Sequence, residues 1–136
     1  PYKIPTDQVE KYKKSVHWKM MTSKGDLSAP TCNDCHGNHG AAPPGISSVV
    51  NVCGQCHPVN SELFNQSPHS KIFVQMGIPG CASCHSNHAI LETSDAMLST
   101  GDKSACATCH TPTSTGATLA ASMLASIERL RKGYEK

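Results

Sequence analysis

"CNDCHGNHG" at residues 32–40 and "CASCHSNHA" at residues 81–89 decide how this chain is read. Each has two cysteines three positions apart, a histidine directly after the second, and another histidine three further on. The first half of the pattern occurs twice more, as "CGQCH" at 53–57 and "CATCH" at 106–110. All eight cysteines therefore fall into four CxxC pairs: Cys32/Cys35, Cys53/Cys56, Cys81/Cys84 and Cys106/Cys109.

Three chemistries use such pairs. Cys35 to Cys53 gives C-x2-C-x17-C-x2-C, a zinc-ribbon spacing. Redox-active CxxC pairs want a strand–helix–strand setting, and no such alternation is visible. Covalent c-type haem uses CxxCH, in which two thiols add across the vinyl groups and the next imidazole binds the iron. The following residue is His36, His57, His85 and His110, four times in four. For a chain with eight histidines in 136 residues, chance gives that run with probability on the order of 10⁻⁵ when CxxCH is the template. Zinc ribbons do not require it. The expectation is four covalent haem c groups, held by the eight cysteines and ligated proximally by His36, His57, His85 and His110.

Composition agrees. Aromatic residues are only 4% of the chain, with one Trp, three Tyr and two Phe. Large apolar side chains normally supply most of the burial energy. Four macrocycles would supply it instead. The expected fold class is mostly loop with short α-helices wrapped around four covalent haems, with little or no β-sheet.

Four histidines remain: His17, His39, His69 and His88. Four irons need four distal ligands, so the count closes. An internal repeat supports the assignment. "SVHWKMMTSKGDLSAPTCNDCHGNHG" followed by "CGQCH" matches "SPHSKIFVQMGIPGCASCHSNHA" followed by "CATCH". His17 corresponds to His69 and His39 to His88. The spacings from the first histidine to the first cysteine are fifteen and twelve residues. The chain reads as a first dihaem module over 1–60 and a second over 61–136 that includes a C-terminal helix, together one tetrahaem domain. Met20, Met21, Met76, Met97 and Met123 are rival distal ligands, but with enough histidines present their role is packing.

These motifs resemble multihaem c-type cytochromes, specifically tetrahaem electron-transfer proteins with CxxCHxxH motifs and an upstream Ser-x-His. The resemblance covers about residues 15–110. It implies closely packed bis-histidine haems that carry electrons, with redox proteins as partners. Such families include exported tetrahaem cytochromes that polymerise into extracellular filaments, so copies of the chain itself in head-to-tail contact are a further expected partner. The alternative is a small multihaem reductase with one open haem iron, which the ligand count disfavours; the chain is expected not to be an enzyme.

A distal histidine three residues after a proximal one cannot reach round its own macrocycle. His39 and His88 must therefore serve other haems. Numbering haems in chain order, a reciprocal scheme puts His39 on haem 3 and His88 on haem 1. A local scheme puts His39 on haem 2 and His88 on haem 4. In the reciprocal scheme, His17 on haem 2 and His69 on haem 4 close the molecule. The exchanged assignment makes His17 a ligand donated to a neighbouring copy, a head-to-tail contact that forms rings or filaments.

Other features set bounds. The formal charge of +2 is spread along the chain without a basic stripe, so nucleic-acid binding has little support. With eight propionates and four ferric centres the net charge becomes about −2, and about −6 on reduction. No run approaches the length of a transmembrane segment. The N-terminal "PYKIPTDQVEKYKK" is not a signal peptide, so an exported protein would be in its mature form, periplasmic or extracellular. Residues 7–21 read as one helix with Thr6 as N-cap and Val9, Tyr12, Val16, His17 and Met20 near one face. Residues 40–48 read as a loop, and "SELFNQSPHSKIF" as a helix broken at Pro68. Residues 117–133 read as an amphipathic helix, with Leu119, Met123, Ile127 and Leu130 on one face and Gly133 at its end. That helix caps haems or offers a docking surface.

The intact mass is expected to exceed that of the polypeptide by four haem units and to keep the excess through acid–acetone extraction. A zinc signal without a Soret band would exclude the haem reading.

Overall fold

The structure is a computed structural model, and it describes residues 3, 5–38, 51–99, 101 and 104–134. The sequence-expected loop at 40–48 and His39 lie outside these residues. The helices are α1 (Gln8–Tyr12), α2 (Val16–Lys24), α3 (Cys32–His36), α4 (Cys53–Cys56), α5 (Pro58–Gln66), α6 (Pro68–Met76), α7 (Ala82–His85) and α8 (Thr115–Tyr134). Two 3-10 segments, Asp95–Leu98 and Cys106–Thr108, lie between α7 and α8. No strand occurs among the described residues, so the expected class of short helices and loops without a sheet stands. No helix among them is long and apolar enough to cross a membrane.

The chain divides into two compact units, Pro1–Glu92 and Thr93–Lys136. In the first, the expected single helix over 7–21 is two helices. Ser15 interrupts it with extended backbone, φ −77° and ψ 158°, and its hydroxyl accepts the Trp18 amide at 3.1 Å. A serine oxygen competes with the backbone for just such a donor, which is why it starts helices rather than continuing them. Ser15 is 1% exposed, so this cap sits inside the fold. At the start of α1 the N-cap is Asp7 rather than Thr6, and its carboxylate pairs with Lys11 at 3.1 Å. Tyr12 turns back, stacking edge-on against Trp18 and donating its hydroxyl to the Pro30 carbonyl at 2.7 Å.

The repeat seen in the sequence is also a repeat of geometry. Ser15 and Ser67 are the N-caps of α2 and α6, both nine residues long, and His17 and His69 are each the second helical residue. Both helices stop at a left-handed glycine, Gly25 with φ 67° and Gly77 with φ 65°. From Ser to Gly the two segments have equal length, so the three-residue difference between the modules falls after the glycine. Pro68 begins α6 rather than kinking a longer helix, because a first-turn proline needs no amide partner.

The second unit is built on α8. The sequence puts Leu119, Met123, Ile127 and Leu130 on one apolar face of this helix. Yet Ala117 and Ala120 are buried, whereas Leu119, Met123 and Leu130 are exposed. Small side chains allow close approach of the two 3-10 segments, and hydrophobic periodicity counts only the large ones. Gly133 lies within the last turn rather than ending the helix. Arg131 clamps the helix to Asp95 with two hydrogen bonds of 2.5 and 3.0 Å.

Among the described residues, the buried hydrophobic side chains are Ala29, Ala117 and Ala120. Three methyl groups are far less apolar surface than a domain of this length normally buries. Ile72, Val74, Met76 and Leu63 are exposed on α5 and α6.

Gly25 and Gly77 have nothing within 4 Å of an added Cβ, so alanine at either costs only backbone strain. Each substitution is expected to lower stability by about 1 kcal/mol, and equally, in chemical denaturation. Unequal losses would show that the two segments are not structurally equivalent.

Candidate functional site

Each CxxCH lies on one tight turn. α3 spans the whole of Cys32–His36. In the other motifs the histidine amide donates to the carbonyl of the first cysteine: His57 to Cys53 at 2.9 Å, His85 to Cys81 at 3.0 Å and His110 to Cys106 at 2.9 Å. Positions i, i+3 and i+4 of such a turn share a face. Two thiols and an imidazole are thus presented together on one side, as a porphyrin edge and its iron require. None of the eight cysteines forms a disulfide.

The motifs draw no distinction among the eight cysteines, but the structure does. Cys53, Cys81 and Cys106 are half-buried, whereas the second cysteines of those motifs, Cys56, Cys84 and Cys109, are exposed. In the first motif the order is reversed, with Cys32 exposed and Cys35 half-buried. Cys84 therefore differs from Cys35, its counterpart in the repeat. Its amide closes the turn on the Cys81 carbonyl at 3.2 Å, and that of Cys109 does the same on Cys106 at 3.2 Å. The turn fixes the backbone of Cys84, while burial of its side chain depends on which other segments pack nearby, and that is not a property of the motif. A thiol at the surface remains within reach of a vinyl group, so the exposure of Cys84 is compatible with the attachment expected of it.

Local capping holds the turns. Thr31 donates from its amide and hydroxyl to the Asp34 carboxylate at 2.7 and 2.9 Å, which keeps that carboxyl below the usual range. Ser104, 4% exposed, accepts the Cys106 amide at 3.1 Å and donates to the Met97 carbonyl at 3.2 Å. Gly54 and Gly80 sit where an added Cβ would meet Ser61 at 2.8 Å and the Phe64 ring at 3.1 Å, respectively.

Tertiary structure then brings histidines together in pairs. His17 lies opposite His57, with ring centroids 6.3 Å apart and planes within 17° of parallel. His36 lies opposite His88, with centroids 5.9 Å apart and planes within 14°. Metal–imidazole bonds of about 2 Å put two rings on opposite sides of one metal with centroids about 6 Å apart. Offset stacking also reaches that separation. What discriminates is partnership: each pair joins one motif histidine to one non-motif histidine. His69 packs its ring against Phe73 at 5.5 Å.

Contacts between distant segments place one member of each pair. The Val16 amide donates to the Ile90 carbonyl at 2.9 Å, and Lys19 pairs with Glu92 at 2.7 Å. The Leu91 amide donates to the His85 carbonyl at 2.8 Å. The segment after His88 is thereby held between α2 and α7, and His17 and His88 are carried into the same region. The thiols of different motifs are neighbours as well. Burial pushes the Cys35 thiol up, with Asp34 and Cys56 adding to the effect, and it pushes Cys53 up, with Cys81 adding. Burial lowers the His17 imidazole below its ordinary value, and His57 adds to this. The neutral form so favoured is the one that ligates metal.

The residue after the motif histidine has a conformation the sequence did not announce. Gly37 has φ 70° and ψ −179°, and Ser86, at the equivalent place, has φ 67° and ψ 177°. Ser86 is the one non-glycine with positive φ among the described residues. This region is nearly confined to glycine, and a side chain there stores roughly 1–3 kcal/mol. The turn directs the chain away from His85 on its way to His88. Its signal was present in the repeat, where "CHG" aligns with "CHS".

The donor set fits haem. Among the described residues, no three His, Cys, Asp or Glu side chains converge to hold a metal ion. The donors that converge are paired imidazoles, the set an iron takes when a porphyrin fills its other four positions.

Replacing Ser86 with glycine releases the strain. Ser86→Gly is expected to raise stability by about 1 kcal/mol, and Gly37→Ala to lower it by a similar amount. Denaturant midpoints check both, and loss of stability in Ser86→Gly would contradict the strained turn.

Comparisons with known proteins agree with this chemistry. A family model described as a doubled CXXCH motif matches residues 68–115, which include Cys81–His85 and Cys106–His110. Neither the curated proteins nor the solved structures gave a match. The doubled motif indicates a multihaem c-type cytochrome, with covalently bound haem c and a part in electron transfer.

Proposed function

We propose that the chain carries electrons through four closely spaced c-type haems, each ligated by two histidines, and that it is not an enzyme. The observation that carries this reading is the pairing of a motif imidazole with a non-motif imidazole, His57 with His17 and His36 with His88. An iron held on both sides has no position for a substrate. His39 and His69 complete the ligand count through the internal repeat.

Closeness of the haems is supported by the chain itself. His85 and His88 are three residues apart, and His88 faces the histidine of a different motif, His36. One short segment then holds two macrocycles. Cys35 beside Cys56 and Cys53 beside Cys81 likewise put the attachment edges of successive haems side by side. The haem supplies the one-electron chemistry. The polypeptide orients the imidazoles and sets the spacing.

His17 lies opposite a histidine of its own chain, which favours a self-contained carrier over a filament in which His17 reaches into a neighbour. Thioether-linked haem of this kind is attached outside the cytoplasm, so the proposed location is periplasmic or extracellular. Redox proteins are the proposed partners.

All four irons are expected to be low-spin and six-coordinate by EPR, with no CO uptake by the native reduced protein. His17→Ala and His88→Ala should each turn one haem of four high-spin. Ready CO binding by the parent protein would favour a reductase with an open iron.

A further inference from the structure

Gly116 is the second residue of α8, and its backbone lies against the ring of His110. A Cβ at this position would stand 2.7 Å from both Cε1 and Nδ1 of the imidazole, and 3.0 Å from Cγ. Real Cβ atoms do not approach ring atoms so closely. The helix start cannot easily retreat either. The Ser114 hydroxyl accepts the Ala117 amide at 3.2 Å, the Ser114 amide donates to the Thr111 carbonyl at 3.0 Å, and Ala117 is 4% exposed. The ring is attached on one side to a turn closed by the His110 amide on the Cys106 carbonyl at 2.9 Å, and faces this packed helix start on the other.

We propose that Gly116 is a positioning residue for the iron ligand His110: its missing side chain lets α8 lie flat on the Nδ1 edge of the imidazole and fixes the ring plane. This rests on the reading of His110 as a proximal ligand. The plane of an axial imidazole and the surroundings of its second nitrogen govern how it donates to the metal. A change at residue 116 therefore acts on one haem of the four.

The control lies on the same helix. Gly133 has nothing within 4 Å of an added Cβ. Alanine is the better helix former at both positions, so propensity alone predicts the same direction for the two substitutions. Gly116→Ala is expected to shift one quarter of the low-spin ferric EPR intensity and one of four components in a redox titration, leaving three unchanged. Gly133→Ala should alter neither. Should Gly116→Ala impair haem attachment, peptide mapping should find the loss confined to the Cys106–Cys109 peptide. In the unmutated reduced protein, a strong nuclear Overhauser effect should connect the Gly116 α protons with the His110 ring.

The inference is overturned by a Gly116→Ala spectrum and titration identical to the parent, by changes spread over all haems, or by absence of that Overhauser effect. Fewer than four haems, or high-spin iron, in the parent protein would instead count against the proposed function.

Discussion

The structure depends on a single turn of helix that carries a cysteine, a second cysteine three residues on, and a histidine after it. Positions i, i+3 and i+4 share a face, so each motif offers two thiols and one imidazole to the same side. A chain organised by such turns has no need to bury its apolar residues against one another. The described residues bury three alanines, while Ile72, Val74 and Met76 of α6 stand exposed. That distribution suits a polypeptide whose largest apolar surfaces belong to its prosthetic groups, and a low aromatic content follows from the same cause.

The second half of the design is the return of the chain. In the proposed arrangement a motif histidine takes one face of a macrocycle, and the next histidine, three residues later, has to be sent elsewhere. The backbone does this with an extended residue at positive φ, Gly37 in one module and Ser86 in the other. Keeping a serine there, with the strain it implies, shows how strongly the flanking contacts determine the turn: the Leu91 amide on the His85 carbonyl, and the α2 contacts with Ile90 and Glu92. Placement of the histidines is thus distributed over residues outside the motifs, among them Ser15 and Ile90.

α8 shows where large apolar residues mislead. Its Leu119, Met123 and Leu130 form the obvious stripe, yet its inner face is made by Ala117 and Ala120. Close approach was needed near His110, where even a single methyl group at position 116 would be too much. Contact distance, and not hydrophobicity, selected which side of the helix turned inward.

The cofactor chemistry was legible in the sequence because it is local: thiols and imidazole lie within five consecutive residues, and one turn suffices to align them. The repeat was legible for the same reason, and with it the spare histidines and the break at Pro68. The helix at 7–21 was misread at Ser15, whose hydroxyl caps a new helix at the Trp18 amide and is buried in the fold. The unequal burial of Cys35 and Cys84, alike in the motif, was equally out of reach. Which histidine faces which was beyond sequence reasoning, which left two schemes open. His17 and His57 are forty positions apart, and His36 and His88 fifty-two. No periodicity spans such distances; the approach of these rings depends on tertiary contacts such as those that tie α2 and α7 to the segment after His88. The sequence by itself determined which groups the protein holds, since that is a property of a single turn. Tertiary structure decided which histidine rings face one another, since that depends on contacts between segments far apart in the chain.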